Sequence, residues 1–206
     1  MARTVYQQEW ERQKARKGLP KNHLPVHRWY LKIEHPWESD PPEPRGDLSI
    51  VRAQNPTIQF YRFLYHTAGE EFVWGDRRRM NDDSLLPIIT NPDIHVLVLY
   101  QSGTPAGFCE MDCRRSNETE IKYFALLPGF IGGGLGRYFL SWAIHFAGQR
   151  EVPLILDTCT LDHPSALENY QKRGFKIYRE EDEEYPDPRL DGTIRRDAGK
   201  HVPLAE

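Results

Sequence analysis

The segment that most constrains this chain is a strand that runs into a glycine-rich turn and out into a helix. Glu120 to Leu127 reads as a strand, and Gly132, Gly133, Gly134 and Gly136 crowd the turn. Leu135, Phe139, Trp142, Ala143 and Phe146 then recur at helical spacing up to Gly148. Such a turn lays main-chain N–H groups and the positive end of a helix around an anion, and the missing side chains let a diphosphate come close. Four glycines in five residues also fit a merely flexible turn. Two common nucleotide loops are excluded. No Lys-Ser/Thr ending follows, and the preceding strand belongs to a hairpin meander instead of opening a parallel βαβ unit.

The meander comprises Ile94 to Tyr100, Pro105 to Arg114 and Thr119 to Leu127, joined by turns at Ser102-Gly103 and Ser116-Asn117. Upstream, Leu48 to Arg52 reads as a strand. Asn55-Pro56 opens a helix carrying Ile58, Tyr61, Leu64 and Tyr65, and Asn81, Asp82 and Asp83 cap a second, short one that Asn91-Pro92 ends. Downstream, Pro153 to Thr160 is a strand, Pro164 to Arg173 a helix stopped by Gly174, and Phe175 to Tyr178 the start of a last strand. The expected class is α/β (α+β), with a mixed, mostly antiparallel central sheet flanked by helices.

Residues 46–180 form the expected core domain. Residues 1–45 read as an extension, an arm or partly flexible, with a basic stretch from Arg12 to Lys21 and a linker-like Ser39-Asp40-Pro41-Pro42-Glu43-Pro44. Arg28 to Ile33 is either a short strand or a packed arm. The tail, residues 181–206, shows little to bury.

A length of 206 residues suits one core with extensions, and 39% hydrophobic residues suffice to fill it. The net charge of −3 argues against nucleic acid as a partner and suits a cationic small substrate. No apolar run approaches the roughly 18–20 residues that span a bilayer, and the first residues lack a signal-peptide core, so no membrane partner and a cytoplasmic location are expected. Cys109, Cys113 and Cys159 are odd in number and lack paired zinc spacing. Cys109 and Cys113 share a strand face and read as buried small residues, and no metal is assigned.

With these residues in view, the chain resembles the GNAT superfamily, the general-control-type N-acetyltransferases, whose cofactor loop reads Gln/Arg-x-x-Gly-x-Gly/Ala after the fourth strand. Here that stretch is Ile131-Gly132-Gly133-Gly134-Leu135-Gly136. A second signature, Asn-x-x-Ala-x-x-x-Tyr-x-x-x-Gly-Phe, is matched by His163, Ala166, Tyr170, Gly174 and Phe175. Ile131 and His163 depart from the pattern. The order of elements from Leu48 to Tyr178 follows the family layout, about two thirds of the chain.

The resemblance implies acetyl-coenzyme A as co-substrate, its pyrophosphate on the amides of Ile131 to Arg137 and its pantetheine arm along the main chain of Phe124, Ala125 and Leu126. That strand is expected to splay from its neighbour, and the Leu126 amide to polarise the thioester carbonyl. Arg137 is a candidate phosphate ligand or a surface arginine; His163 caps a helix or touches the pantetheine arm, and Ala166 shares the cofactor-facing side of its helix with Tyr170. Tyr170 is implied as the acid that protonates the leaving thiolate, or it packs on the last strand. Glu120 is the leading base. It lies six residues before Leu126 and so is expected on the same strand face; Glu118, Asp112, Glu110 or water are alternatives, and Lys122 can tie it up as an ion pair.

The acceptor, a small-molecule or peptide amine, is implied under a roof made by Tyr61 to Met80. There Tyr61, Tyr65, Phe72 and Trp74 form a cation cage or core, and Arg77, Arg78 and Arg79 bind a carboxylate or form a solvated face. The function implied is acetyl transfer to a primary amine by direct attack in a ternary complex. A non-catalytic coenzyme A-binding or interaction module, and the same fold with a longer acyl donor, stay open, as does a homodimer.

Overall fold

The structure, a computed structural model, describes residues 5–35, 37 and 40–205; Ser39 of the linker-like stretch lies outside the described residues. Helices are α1 (Val5–Lys14), α2 (Ile58–Gly69), α3 (Asp76–Arg79), α4 (Asp82–Ile89), α5 (Leu135–Gly148) and α6 (Ala166–Gln171). Strands are β1 (His23–Ile33), β2 (Leu48–Ala53), β3 (Ile94–Gln101), β4 (Thr104–Asp112), β5 (Thr119–Leu126), β6 (Leu154–Cys159) and β7 (Lys176–Pro186). They form one seven-stranded sheet in the order β2-β3-β4-β5-β6-β1-β7. The pairs from β2 to β5 are antiparallel and β5–β6 is parallel, as expected of a mixed, mostly antiparallel sheet. Two compact units divide the chain: residues 32–69 and 76–156, and residues 1–31, 70–75 and 157–206.

In the larger unit the meander follows from its turns. Ser102 and Gly103 both take positive φ, 48° and 81°, the conformation whose twist suits a two-residue hairpin, so Gln101 pairs with Thr104. Helices cover both faces of the meander. Phe139 of α5 meets Phe124 at 5.2 Å on one face; on the other, Tyr61 and Tyr65 of α2 meet Phe108 at 5.8 Å and Tyr123 at 4.9 Å. The Asn81 side chain accepts from the Ser84 N–H at 2.8 Å and caps α4, the start its Asn-Asp-Asp sequence marks.

The smaller unit overturns the expectation that the tail buries little. Ile194, Ala198 and Val202 join Leu24, Val26, Val73, Cys159 and Leu161 in one apolar cluster, and Asp187 and Arg189 are buried as an ion pair at 2.8 Å. Burial alone would raise the Asp187 carboxyl, but the Arg189 hydrogen bonds outweigh it and hold the group below its usual range. Arg189 also donates to the carbonyls of Val202 and Pro203, each at 2.7 Å, and so folds the segment around itself. At the other end, Arg28 to Ile33 is part of the longer strand β1. Helix α1 docks through Tyr6, whose hydroxyl donates to the Thr160 carbonyl at 3.0 Å, and through Arg12 and Gln13, which donate to Asp182.

Candidate functional site

The turn between β5 and α5 is open where an anion needs it to be. A Cβ added at Gly132 or Gly133 would meet no atom within 4 Å, and Gly134 caps α5 at φ 78° without a side-chain hydrogen bond. The helix therefore starts with its positive end turned to main chain rather than to a capping carboxylate or hydroxyl. A Cβ at Gly134 would lie 3.5 Å from a terminal nitrogen of Arg137, so this exposed guanidinium folds back over the turn. Gly136 lies close to Leu126, and the Ile131 side chain is exposed. Leu135 is buried and anchors the first turn of α5.

The end of β5 offers donors as well. Its parallel register with β6 runs from Thr119–Leu154 to Ile121–Leu156, while β5 continues to Leu126. The Leu127 N–H donates to Ala106 at 2.9 Å on the β4 side. Because N–H groups alternate along a strand, the amides of Leu126 and Phe124 point off the other edge and that of Ala125 toward β4.

One feature of β5 corrects a sequence-based expectation. Glu110 pairs with Tyr123 and Met111 with Ile121, so Lys122 is an extra, bulged residue. The bulge resets the alternation. Glu120, opposite Asp112, shares the α2 face with Tyr123 and Ala125, whereas the Leu126 side chain faces α5 beside Phe139 and Phe124. Glu120 and Leu126 thus do not share a face, though six residues separate them.

The carboxylates near Glu120 are each partnered. The Lys122 ammonium donates to Glu120 at 3.0 Å, the ion pair the spacing allowed. Arg115 pairs with Glu118. Arg114 grips Asp112 through both oxygens, and although burial pushes that carboxyl up, the Arg114 bonds win and keep it below its usual range. Glu110 is fully buried, accepting from the Tyr61 hydroxyl and from Arg77 at 2.6 Å, with the Arg77 guanidinium 5.5 Å from the Tyr123 ring centre.

This cluster went unseen in the sequence, and it corrects the view of the arginine triplet as a solvated face. Arg77 is only 12% exposed, and Arg78 donates to the His66 carbonyl at 2.8 Å; Arg79 alone is exposed. The one available signal was Glu110 itself, a charge between Cys109 and Met111 in an apolar strand, which demands a buried partner. Tyr61 and Tyr65 are core residues, and burial pushes both phenols well above their usual range.

In the smaller unit, His163 accepts from the Ser165 N–H at 3.2 Å in the turn ahead of α6, whose own start carries no side-chain capping bond. Ala166 opens that helix. Tyr170, 8% exposed, stands edge-on to Phe175 at 5.9 Å, and its carbonyl accepts from the Phe175 N–H at 3.3 Å as the helix ends. Gly174, at φ 91°, makes that end sharp. All three cysteines are buried, and burial raises each thiol, which disfavours the thiolate. No group of three or more potential metal ligands occurs among the described residues, and no helix among them is long and apolar enough to cross a membrane.

The model of the Acetyltransferase (GNAT) family matches residues 53–175. No curated protein sequence matches significantly. A GCN5-related N-acetyltransferase from Sphaerobacter thermophilus superposes with a TM-score of 0.57 at 15% identity, covering 81% of this chain and 53% of that one. For another from Kribbella flavida the values are 0.54, 15%, 81% and 60%. An aminoglycoside acetyltransferase from an uncultured soil metagenomic sample, in complex with trehalose, gives 0.51 and 13%, covering 62% and 88%. Likeness at these identities concerns the fold. The chain spans little more than half the length of the first two structures.

Proposed function

Since the chain belongs to the GNAT family of acetyltransferases, we propose that it moves an acetyl group from acetyl-coenzyme A to a primary amine by direct attack in a ternary complex. The observation that carries this reading is the uncapped start of α5, where Gly132 and Gly133 leave main chain bare. A diphosphate fits there: amides of Ile131 to Gly136 surround it, while the Arg137 N–H donates to the Gly134 carbonyl at 3.1 Å and its guanidinium closes over the anion.

Phe124, Ala125 and Leu126 would then run beside the pantetheine arm, with the outward Phe124 and Leu126 amides as its donors. The Leu126 N–H supplies the oxyanion-type donor to the carbonyl under attack, a contribution of a few kcal/mol in such sites. Glu120 takes the proton that the ammonium must lose before its lone pair can attack. As the carbon–sulfur bond breaks, Tyr170 gives its phenolic proton to the thiolate and regains one from solvent. His163 braces the turn into α6 through Ser165, and Ala166 and Tyr170 face the co-substrate.

The acceptor is a cationic small molecule or a peptide amine, in keeping with the net charge of −3. Aminoglycosides belong in its test panel because a structure of similar fold carries that activity in its name. The test is amine-dependent release of coenzyme A thiol across amines, aminoglycosides, amino acids and peptide amino termini. Release with at least one amine supports transfer; tight coenzyme A binding without release from any of them would make the chain a binding module.

A further inference from the structure

We propose that the carboxyl-terminal segment, residues 187–205, is a positioning element for the acceptor: it clamps residues 70–75, the stretch between α2 and α3, in one strained conformation. This rests on the acyl-transfer reading, in which Tyr61 to Met80 roofs the acceptor. The strain is visible at Val73, a β-branched residue at φ 58° that is 1% exposed. Such a residue takes this conformation only when its surroundings impose it.

The surroundings are the tail. A Cβ on Gly199 would lie 2.7 Å from a Val73 methyl and 3.3 Å from the Glu71 carbonyl, so the two backbones meet with no room for a side chain. Arg189 holds Gly199 from behind through the carbonyls of Ala198, Gly199 and Val202, at 3.3, 3.4 and 2.7 Å. Further contacts grip the same stretch. The Gly75 N–H donates to the Tyr185 hydroxyl at 3.0 Å, and the Phe72 ring stands 6.3 Å from that of His201, whose Nε2 donates to the Leu161 carbonyl at 3.0 Å. Gly75 ends the clamped stretch, two residues before Arg77 in the sequence.

The experiment compares the full chain with Gly199→Ala and with Val73→Ala/Gly199→Ala by amide hydrogen exchange. Gly199→Ala is expected to raise exchange of residues 70–77 by roughly tenfold or more, with the β3–β5 amides unchanged. The double variant removes the Val73 methyl that the added Cβ would strike and is expected to restore part of the protection, the remaining loss being the strain of an alanine at φ 58°. In thiol-release assays with spermidine, an aminoglycoside and a lysine peptide, Gly199→Ala is expected to raise the amine KM by about tenfold while acetyl-coenzyme A affinity stays constant. Unchanged exchange at 70–77, an equal rise in the β3–β5 amides, or no rescue in the double variant would overturn the clamp. An unaltered amine KM despite a loosened stretch would overturn its role for the acceptor. A wild-type chain that turns over no amine defeats the transfer reading, and the exchange data then decide the clamp alone.

Discussion

At the scale of single residues, Tyr170 and Glu120 carry opposite halves of the proposed proton traffic, and their variants should differ in kind. Tyr170→Phe removes one hydroxyl and keeps the edge-on packing against Phe175, and thermal unfolding of the variant reads what the hydroxyl contributes to the fold. Turnover should fall by roughly 10²-fold, with the loss shrinking for donors that carry a more acidic leaving thiol. Equal losses along a leaving-group series would make Tyr170 structural. Glu120→Gln should lower turnover at neutral pH and recover partly at higher pH, where more of the amine is already neutral. An unaltered pH profile would move the role to water, because Glu118 is paired with Arg115 and Asp112 and Glu110 are gripped by Arg114 and by Arg77 with Tyr61. Residue types were legible in the sequence, their faces less so. Nothing in Glu120-Ile121-Lys122-Tyr123 announces the bulge at Lys122, and one extra residue reverses every side chain beyond it relative to the partner strand.

At the scale of elements, α5 occupies Leu135–Gly148, the span its apolar periodicity and bounding glycines predict, because its signals are local. Helix α1 and the tail gave no such signal. Helix α1 is held by polar contacts to residues far away in sequence, such as Arg12 with Asp182, and the tail by Arg189 bonding the carbonyls of residues 198–203 and by Ile194, Ala198 and Val202, whose apolar partners lie in distant segments. Helix α2 adds a pH dependence. Burial, with Arg78 and Arg62 nearby, pushes His66 down to about 4, so between that value and about 6.5 the unfolded chain binds the proton that the folded chain refuses. Stability should therefore fall with pH across this window, by roughly 1–2 kcal/mol after allowance for solvent screening, with His95 adding a loss of the same sign. Urea unfolding at pH 7 and pH 5 checks it: His66→Leu should flatten the difference, and an equal slope in the variant would refute the assignment.

For the whole molecule, sequence and structure agree on a mixed, mostly antiparallel sheet, and its fifth strand leads through a glycine-rich turn into a helix that starts without a side-chain cap. Everything proposed for the chemistry depends on that start holding the acyl donor. Gly133 is the cleanest place to challenge it. Gly132 and Gly134 need positive φ, so replacing them mixes backbone strain with loss of the site, whereas Gly133 does not and has open space around it. The decisive measurement is a calorimetric titration of acetyl-coenzyme A into the wild-type chain and Gly133→Leu, with thermal unfolding of both as control. The account predicts saturable binding to the wild type, affinity at least about 10²-fold weaker in the variant, or ~2.7 kcal/mol, and superimposable unfolding curves. Equal affinity in the two proteins would contradict it.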